Sequence, residues 1–165
     1  MSKSLTILGS TGSIGCSTLD LVRTHAGAFD LVALSANKNV DRLIEQAREF
    51  RPQIAVIGDN SLHAELRDGL SGTGIETAAG SEAIIDAAAM NSDFVMAGIV
   101  GAAGMGPTMA AVERGATVGL ANKECLVCAG QIMMKEVERC GATLLPVDSE
   151  HNAIFQVFDG DRAHN

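Results

Sequence analysis

In SLTILGSTGSIGCSTLDLVRTHA, Ser4 to Ala26, three local signals follow one another without a gap. SLTILG, Ser4 to Gly9, is a short apolar run of the buried-strand type. GSTGSIG, Gly9 to Gly15, spaces its glycines as GxxGxxG rather than the commoner GxGxxG. SIGCSTLDLVRTHA then reads as a helix. A strand handed to a helix through glycines is where a dinucleotide pyrophosphate sits. Glycine lets the backbone come close, and the free N–H groups of the first helical turn point at the anion. Thr11 and Ser13 add hydroxyl donors. A tight turn without a ligand is the competing reading, and the rest of the chain bears on it.

Outward from this unit the pattern repeats. FDLVALSA reads as a second strand, and Val40 to Phe50 as a helix with apolar Leu43, Ile44 and Ala47, stopped by Pro52. QIAVIG is a third strand. Ser61 to Leu70 and Ser81 to Met90 read as helices, with Ile75 to Ala78 a short strand between them. DFVMAGI and ATVGLA are strands flanking a helix from Pro107 to Arg114. Asn122 to Arg139 is a long helix with Leu126, Ile132, Met133 and Val137 on its apolar side. TLLPV is the last strand, and Asn152 to Phe158 a short helix. Short apolar strands alternating with helices predict an α/β, Rossmann-like, doubly wound and mainly parallel sheet with helices on both faces. Right-handed crossovers then bring Gly9–Gly15, Asn37–Asn39, Gly101–Gly104, Asn122–Lys123 and Asp148–Glu150 to one carboxyl edge.

The chain has 165 residues, enough for one domain with a proper core. Its net charge of -8, with 12 scattered basic residues, argues against nucleic acid or an anionic membrane as partner. No apolar run approaches a membrane span and the N-terminus is not of signal-peptide type, so a soluble, cytoplasmic protein is expected. An anionic ligand must then be held by local devices, such as backbone amides or single lysines.

The second strand tests which cofactor fits. NAD sites carry an acid at its end for the ribose hydroxyls. Here it ends Ser35-Ala36-Asn37-Lys38-Asn39, and Asp30 lies at the opposite end of the strand. Lys38 with neutral polar neighbours suits a 2′-phosphate, so NADP(H) is expected over NAD(H), although a merely solvated loop charge is also open. Short-chain dehydrogenases are excluded, because they use a catalytic tyrosine and the chain has none.

Two further places carry chemistry. Lys123 stands where a strand gives way to the long helix, at the unfavourable positive end of its dipole, an arrangement costing about 0.3–1 kcal/mol. Serving a substrate anion or hydroxyl would account for it, and compensation by Glu124 is the plainer alternative. LLPVDSEHNAIFQ, Leu144 to Gln156, runs from a strand into Asp148 and Glu150. In extended backbone residues i and i+2 share a side, with α-carbons about 6.6 Å apart. Two carboxylates about 4 Å apart repel by roughly 1 kcal/mol in water and about 4 kcal/mol at an effective dielectric of 20, so a cation would suit them. An all-oxygen pair favours Mg²⁺ or Mn²⁺. Capping of the next helix by Asp148 or Ser149 competes, and the local sequence alone slightly favours it. Cys125 and Cys128 form a CxxC inside the long helix, with no second pair or His at zinc spacing, and read as small apolar thiols.

Taken together, LTILGSTGSIGCSTLDLV, ALSANKNV, AGIVGAAGMGPT, LANKECLV and LLPVDSEHNAIFQ resemble, in order, the 1-deoxy-D-xylulose 5-phosphate reductoisomerase family. The resemblance runs to about Gln156. It implies an NADPH-dependent rearrangement and reduction of 1-deoxy-D-xylulose 5-phosphate to 2-C-methyl-D-erythritol 4-phosphate, in isoprenoid precursor synthesis. Cofactor contacts then fall on Thr11, Gly12, Ser13, Ile14, Asn37, Lys38, Asn39, Asn122 and Glu124. Substrate contacts fall on Lys123, Ser149 and Glu150, and Mg²⁺ or Mn²⁺ ligands on Asp148 and Glu150, with Lys123, Asp148 and Glu150 the catalytic set. This reverses the local preference for capping. The sequence departs from the family at Cys125, where ANKES is usual, and at Asn37, where Gly is common.

The resemblance also implies a homodimeric complete enzyme. Its chain continues into a region with a third carboxylate ligand and phosphate-binding residues. Residues 1–147 are therefore expected to be an NADPH-binding domain and 148–165 the start of a truncated catalytic region, inactive alone. A non-catalytic NADP-binding module is the alternative. A semialdehyde dehydrogenase fits less well, because no cysteine lies in a strand-to-helix loop outside the cofactor site.

Overall fold

Strand β1 (Lys3–Leu8) is apolar on both sides: Leu5 and Ile7 pack into one cluster and Leu8 into another. Such a strand needs a helix layer above and below it. A computed structural model, which describes residues 2–121 and 123–147 and the stretch 123–129 by its backbone alone, shows both layers.

β1 is central. It pairs in parallel with β2 (Phe29–Ala36) on one side and β5 (Phe94–Ala97) on the other. β3 (Ile54–Ile57) and β4 (Glu76–Ala79) extend the sheet beyond β2, and β6 (Thr117–Leu120) and β7 (Thr143–Pro146) extend it beyond β5. The order is β4-β3-β2-β1-β5-β6-β7. All six pairings among the described residues are parallel, where the sequence predicted a mainly parallel sheet.

Helices α1 (Ser13–Thr24), α2 (Val40–Phe50) and α3 (His63–Gly69) cover one face, contributing Leu19, Leu43 and Leu66 to its core. Helices α4 (Ser81–Ala89), α5 (Met105–Glu113) and α6 (Lys123–Cys140) cover the other with Ile84, Val112 and Met133. No described helix is long and apolar enough to cross a membrane. The strand order reverses between β1 and β5, which leaves a crevice at their carboxyl ends where such sheets bind ligands.

Several elements depart from the sequence reading for identifiable reasons. Ser61–Leu70 is not one helix: the Asp59 side chain accepts from the Ser61 amide at 3.0 Å, starting a 3-10 turn at Asn60–Leu62 before α3. α5 begins at Met105 rather than Pro107, because the first turn of a helix tolerates a proline that lacks an N–H. α2 ends where Arg51 takes a left-handed conformation (φ 51°) just before Pro52. Ile132, expected on the apolar side of α6, is 63% exposed. Met133 is buried and Val137 packs with it, and one residue of helix turns Ile132 by about 100° from that face. The helix expected over Asn152–Phe158 lies outside the described residues.

Candidate functional site

The glycine loop passes from β1 to α1 in a tight arc. Gly9 has φ +78°, a conformation that side chains disfavour, and a Cβ there would stand 2.9 Å from the Gly98 carbonyl oxygen. Gly98 in turn donates its amide to the Leu8 carbonyl at 2.9 Å. The chain leaving β1 is thus pressed against the chain leaving β5. At Gly15 a Cβ would come within 2.4 Å of the Ser10 α-carbon, so α1 seats directly on its own loop.

Gly12 differs from both. Its φ of -78° suits any residue, and a Cβ would make only ordinary contact, 3.4 Å from the Gly9 oxygen. Gly12 is the N-cap of α1, and no side chain among the described residues caps the helix. No acid stands in its first turn either. The Gly12 amide donates to the Gly9 carbonyl at 3.1 Å, and the helix start that follows it, from exposed Ser13 on, presents amides and a partial positive charge to any anion placed before it.

What lies before it is a cleft of about 330 Å³. Thr11, Gly12, Ser13 and Ile14 form one wall, Asn37 closes the β2 side, and Gly98, Ile99 and Val100 close the β5 side. Val100 is 79% exposed, an apolar side chain held at the mouth of the cleft. A second hollow of about 300 Å³ adjoins it, sharing Asn37, Ile84 and Ile99 and running between α4 and α5. One side therefore offers amides, and the other apolar flanks of a size for flat rings.

Of the residues expected to bind a cofactor, Thr11, Gly12, Ser13, Ile14 and Asn37 converge on the first cleft. Lys38 and Asn39 follow Asn37 as exposed residues beyond the end of β2. Asn39 also has a structural task, its side-chain oxygen accepting the Arg42 amide at 3.3 Å as the N-cap of α2. Asp30 is at the start of β2, far from the loop, as expected. Asp59, which the sequence reading passed over, follows β3 and donates its amide to the Asn37 carbonyl at 3.0 Å. The Ser61 hydroxyl and amide hold its carboxyl below the usual carboxylate range, with a smaller effect from Lys38.

β6 ends beside the same cleft, which Ala121 helps to line, and α6 begins at Lys123. Val147, after β7, donates its amide to the Leu120 carbonyl at 3.0 Å, which brings the end of β7 next to the end of β6. Asn122, Asp148, Ser149 and Glu150 lie outside the described residues, as do the side chains of Lys123, Glu124, Cys125 and Cys128. Among the described residues no three His, Cys, Asp or Glu side chains gather into a metal site.

The sequence reading missed the groups that hold the loop from behind. Ser10 and Gln46 are buried polar residues joined by two hydrogen bonds, and the Ser35 hydroxyl accepts the Gly9 amide at 3.1 Å. One signal was present: Gln46 stands between Leu43 and Ala47 in the buried stripe of its helix, a polar residue where an apolar one is expected.

Comparison with known proteins agrees with this geometry. The family model for 1-deoxy-D-xylulose 5-phosphate reductoisomerase matches residues 5–130. The chain is 57% identical over 160 residues to the reductoisomerase of Rhodospirillum centenum, covering 97% of this chain and 40% of that protein. It is 53% identical over 162 residues to that of Caulobacter vibrioides, covering 98% and 41%. Among solved structures it is similar to the Zymomonas mobilis reductoisomerase in complex with NADPH, with a TM-score of 0.95 and 48% identity over 98% of this chain and 42% of that one. It is also similar to a reductoisomerase in complex with NADPH, fosmidomycin and magnesium, with a TM-score of 0.89 and 40% identity over 98% of this chain and 42% of that one. The chain thus spans about two fifths of the length of the curated relatives it matches. On the glycine loop, the sheet order and these matches together, the chain belongs to the 1-deoxy-D-xylulose 5-phosphate reductoisomerase family.

Proposed function

We propose that residues 1–147 form the NADPH-binding part of a 1-deoxy-D-xylulose 5-phosphate reductoisomerase, and that 148–165 begin its catalytic region. The observation that carries this is the uncapped start of α1 facing a cleft at the point where the strand order reverses. The pyrophosphate fits the amides after Gly12, and the adjoining hollow between α4 and α5 takes the adenosine end. Lys38, at the end of β2, stands where a 2′-phosphate needs a cation, with Asn37 and Asn39 beside it. The relatives solved with NADPH support this placement.

Asn122 and Glu124 complete the cofactor contacts in this reading, while Lys123 and Ser149 hold the sugar phosphate. Asp148 and Glu150 are the divalent-metal ligands, a pair of oxygen donors suited to Mg²⁺ or Mn²⁺, and similar structures are solved with magnesium. When bound, the cation would supply Lewis acidity at the substrate's ketone and hydroxyl oxygens, and NADPH a hydride for the rearranged carbonyl. The residues of this chain orient the two reactants and exclude water between them. A homodimer belongs to the same reading for the complete enzyme.

The test is calorimetric titration of the purified chain with NADPH and NADH, followed by an activity assay. NADPH is expected to bind at least about tenfold more tightly, with no turnover of 1-deoxy-D-xylulose 5-phosphate by the chain alone. Equal affinity for the two nucleotides would overturn the cofactor assignment. Turnover by the 165 residues would overturn the view that the catalytic region is incomplete here.

A further inference from the structure

Gln46 is 8% exposed, on the buried side of α2, and both ends of its amide engage a single residue. Its Nε2 donates to the Ser10 carbonyl at 2.9 Å, and the Ser10 hydroxyl donates to its Oε1 at 2.7 Å. Ser10 is fully buried, and its amide donates to the Ser35 carbonyl at 2.7 Å. Every polar group of Ser10 is therefore satisfied within the protein, by α2 on one side and β2 on the other. The Cys16 thiol adds a weaker contact to the Ser10 carbonyl at 3.5 Å.

The direction of these contacts matters. Ser10 and Gln46 do not line the cleft in front of the loop, whose wall begins again at Thr11. Gln46 and Cys16 instead border a separate hollow of about 170 Å³ behind it, between α1 and α2. The front of the loop leaves its helix-start amides for an anion, while the rear is fastened at one residue. A glycine-rich loop is otherwise loose, since each glycine has more backbone freedom to lose on ordering than other residues.

We propose that Gln46 is a positioning residue for nucleotide binding: acting through Ser10, it fixes the glycine loop with its amides turned into the cleft. This rests on the reading that the cleft takes NADP(H). A primary amide is required because the site needs one donor and one acceptor side by side. Leucine supplies neither, and a carboxyl supplies both only while protonated.

That last point separates positioning from bulk packing. NADP⁺ affinity is measured by calorimetry from pH 5.5 to 8 for the native chain and Gln46→Glu, with melting curves recorded at each pH. The affinity ratio of variant to native protein is expected to fall by about fivefold or more as the introduced carboxyl ionises and loses its proton for the Ser10 carbonyl. A ratio that stays flat across this range overturns the proposal. Ser10→Ala, a milder change that keeps the bond to the carbonyl, is expected to weaken NADP⁺ binding about two- to fivefold, and unchanged affinity counts against the proposal in the same way.

Amide hydrogen exchange over Ser10–Ser13, recorded without nucleotide, judges the clamp independently of the ligand. Faster exchange in Gln46→Leu supports the clamp, and native-like exchange overturns it. If the native chain bound no NADP⁺, the functional reading would fall while the exchange experiment still decided whether Gln46 orders the loop.

Discussion

A Cβ on Gly15 would sit 2.4 Å from the carbonyl oxygen of Gly9, a separation no real pair of such atoms adopts. The same atom on Gly12 would lie 3.4 Å from that oxygen, an ordinary contact. The two glycines therefore serve different ends. Gly15→Ala is expected to destabilise the fold by about 3 kcal/mol, because backbone must move to admit the methyl. Gly12→Ala is expected to keep the native melting temperature to within a few degrees while weakening NADPH binding about tenfold or more, because the methyl occupies the approach to the helix amides. Thermal melts and calorimetric titrations of the two variants check this. Equal loss of stability in both would show that Gly12 is also a packing residue.

Lys38 is exposed beyond β2, and the Asp59 carboxyl lies in its field. Lys38→Ala is expected to reduce NADPH affinity by about fivefold and leave NADH affinity unchanged, a loss appropriate to a solvent-screened phosphate contact of about 1 kcal/mol. The effect should shrink as salt is raised from about 0.01 to 1 M, where the screening length falls from about 30 to 3 Å. An identical loss for both nucleotides would place Lys38 elsewhere than at the 2′-phosphate.

Thr6 lies in the middle of β1, fully buried, and its hydroxyl has no hydrogen-bond partner among the described residues. Thr6→Val replaces that hydroxyl with a methyl of the same shape in a strand where a β-branched residue suits the backbone. The variant is expected to be more stable by about 1 kcal/mol, or about 3 °C in melting temperature. A lower melting temperature would indicate that the hydroxyl has a partner in solution.

Acid should loosen the amino ends of β1 and β5. The Ser4 amide and then its hydroxyl, each donating to Asp93, hold that carboxyl below the usual carboxylate range. A carboxyl depressed in the folded state binds fewer protons there than in the unfolded chain. Its stabilisation is complete above the unfolded value of about 4 and is lost as pH falls through the folded one. Urea midpoints at pH 7, 5 and 3 are expected to fall toward acid. Asp93→Asn should lose less across that range than the native protein, and a parallel decline in the two would remove Asp93 from the account.

The sheet and the front of the site were legible because they rest on strong local signals. Strand-to-helix alternation placed Gly9–Gly15 and Asn37–Asn39 at one edge, and the structure brings them there. Spacing could not show how the loop is held. The contact between Ser10 and Gln46 joins residues 36 apart, and it forms only once α2 packs on the sheet. The exposure of Ile132 was hidden for a related reason, since an apolar residue one position from a buried one carries no mark of which way it turns. Gly98 looked like one glycine among many until the close approach of Gly9 gave it a partner.

Helix α2 carries Asn39 as its cap and Gln46 within its buried stripe. Gln46 lies seven positions along the chain from Asn39, about 10 Å of helical rise. In the proposed NADPH site, one end sits beside the residues assigned to the nucleotide's 2′ position, and the other holds the loop assigned to its pyrophosphate. The helix is thus a caliper: its two jaws cannot open or close independently. A ligand is measured by the distance between its phosphates as well as by their charge, and a change that tilts α2 should disturb both grips together.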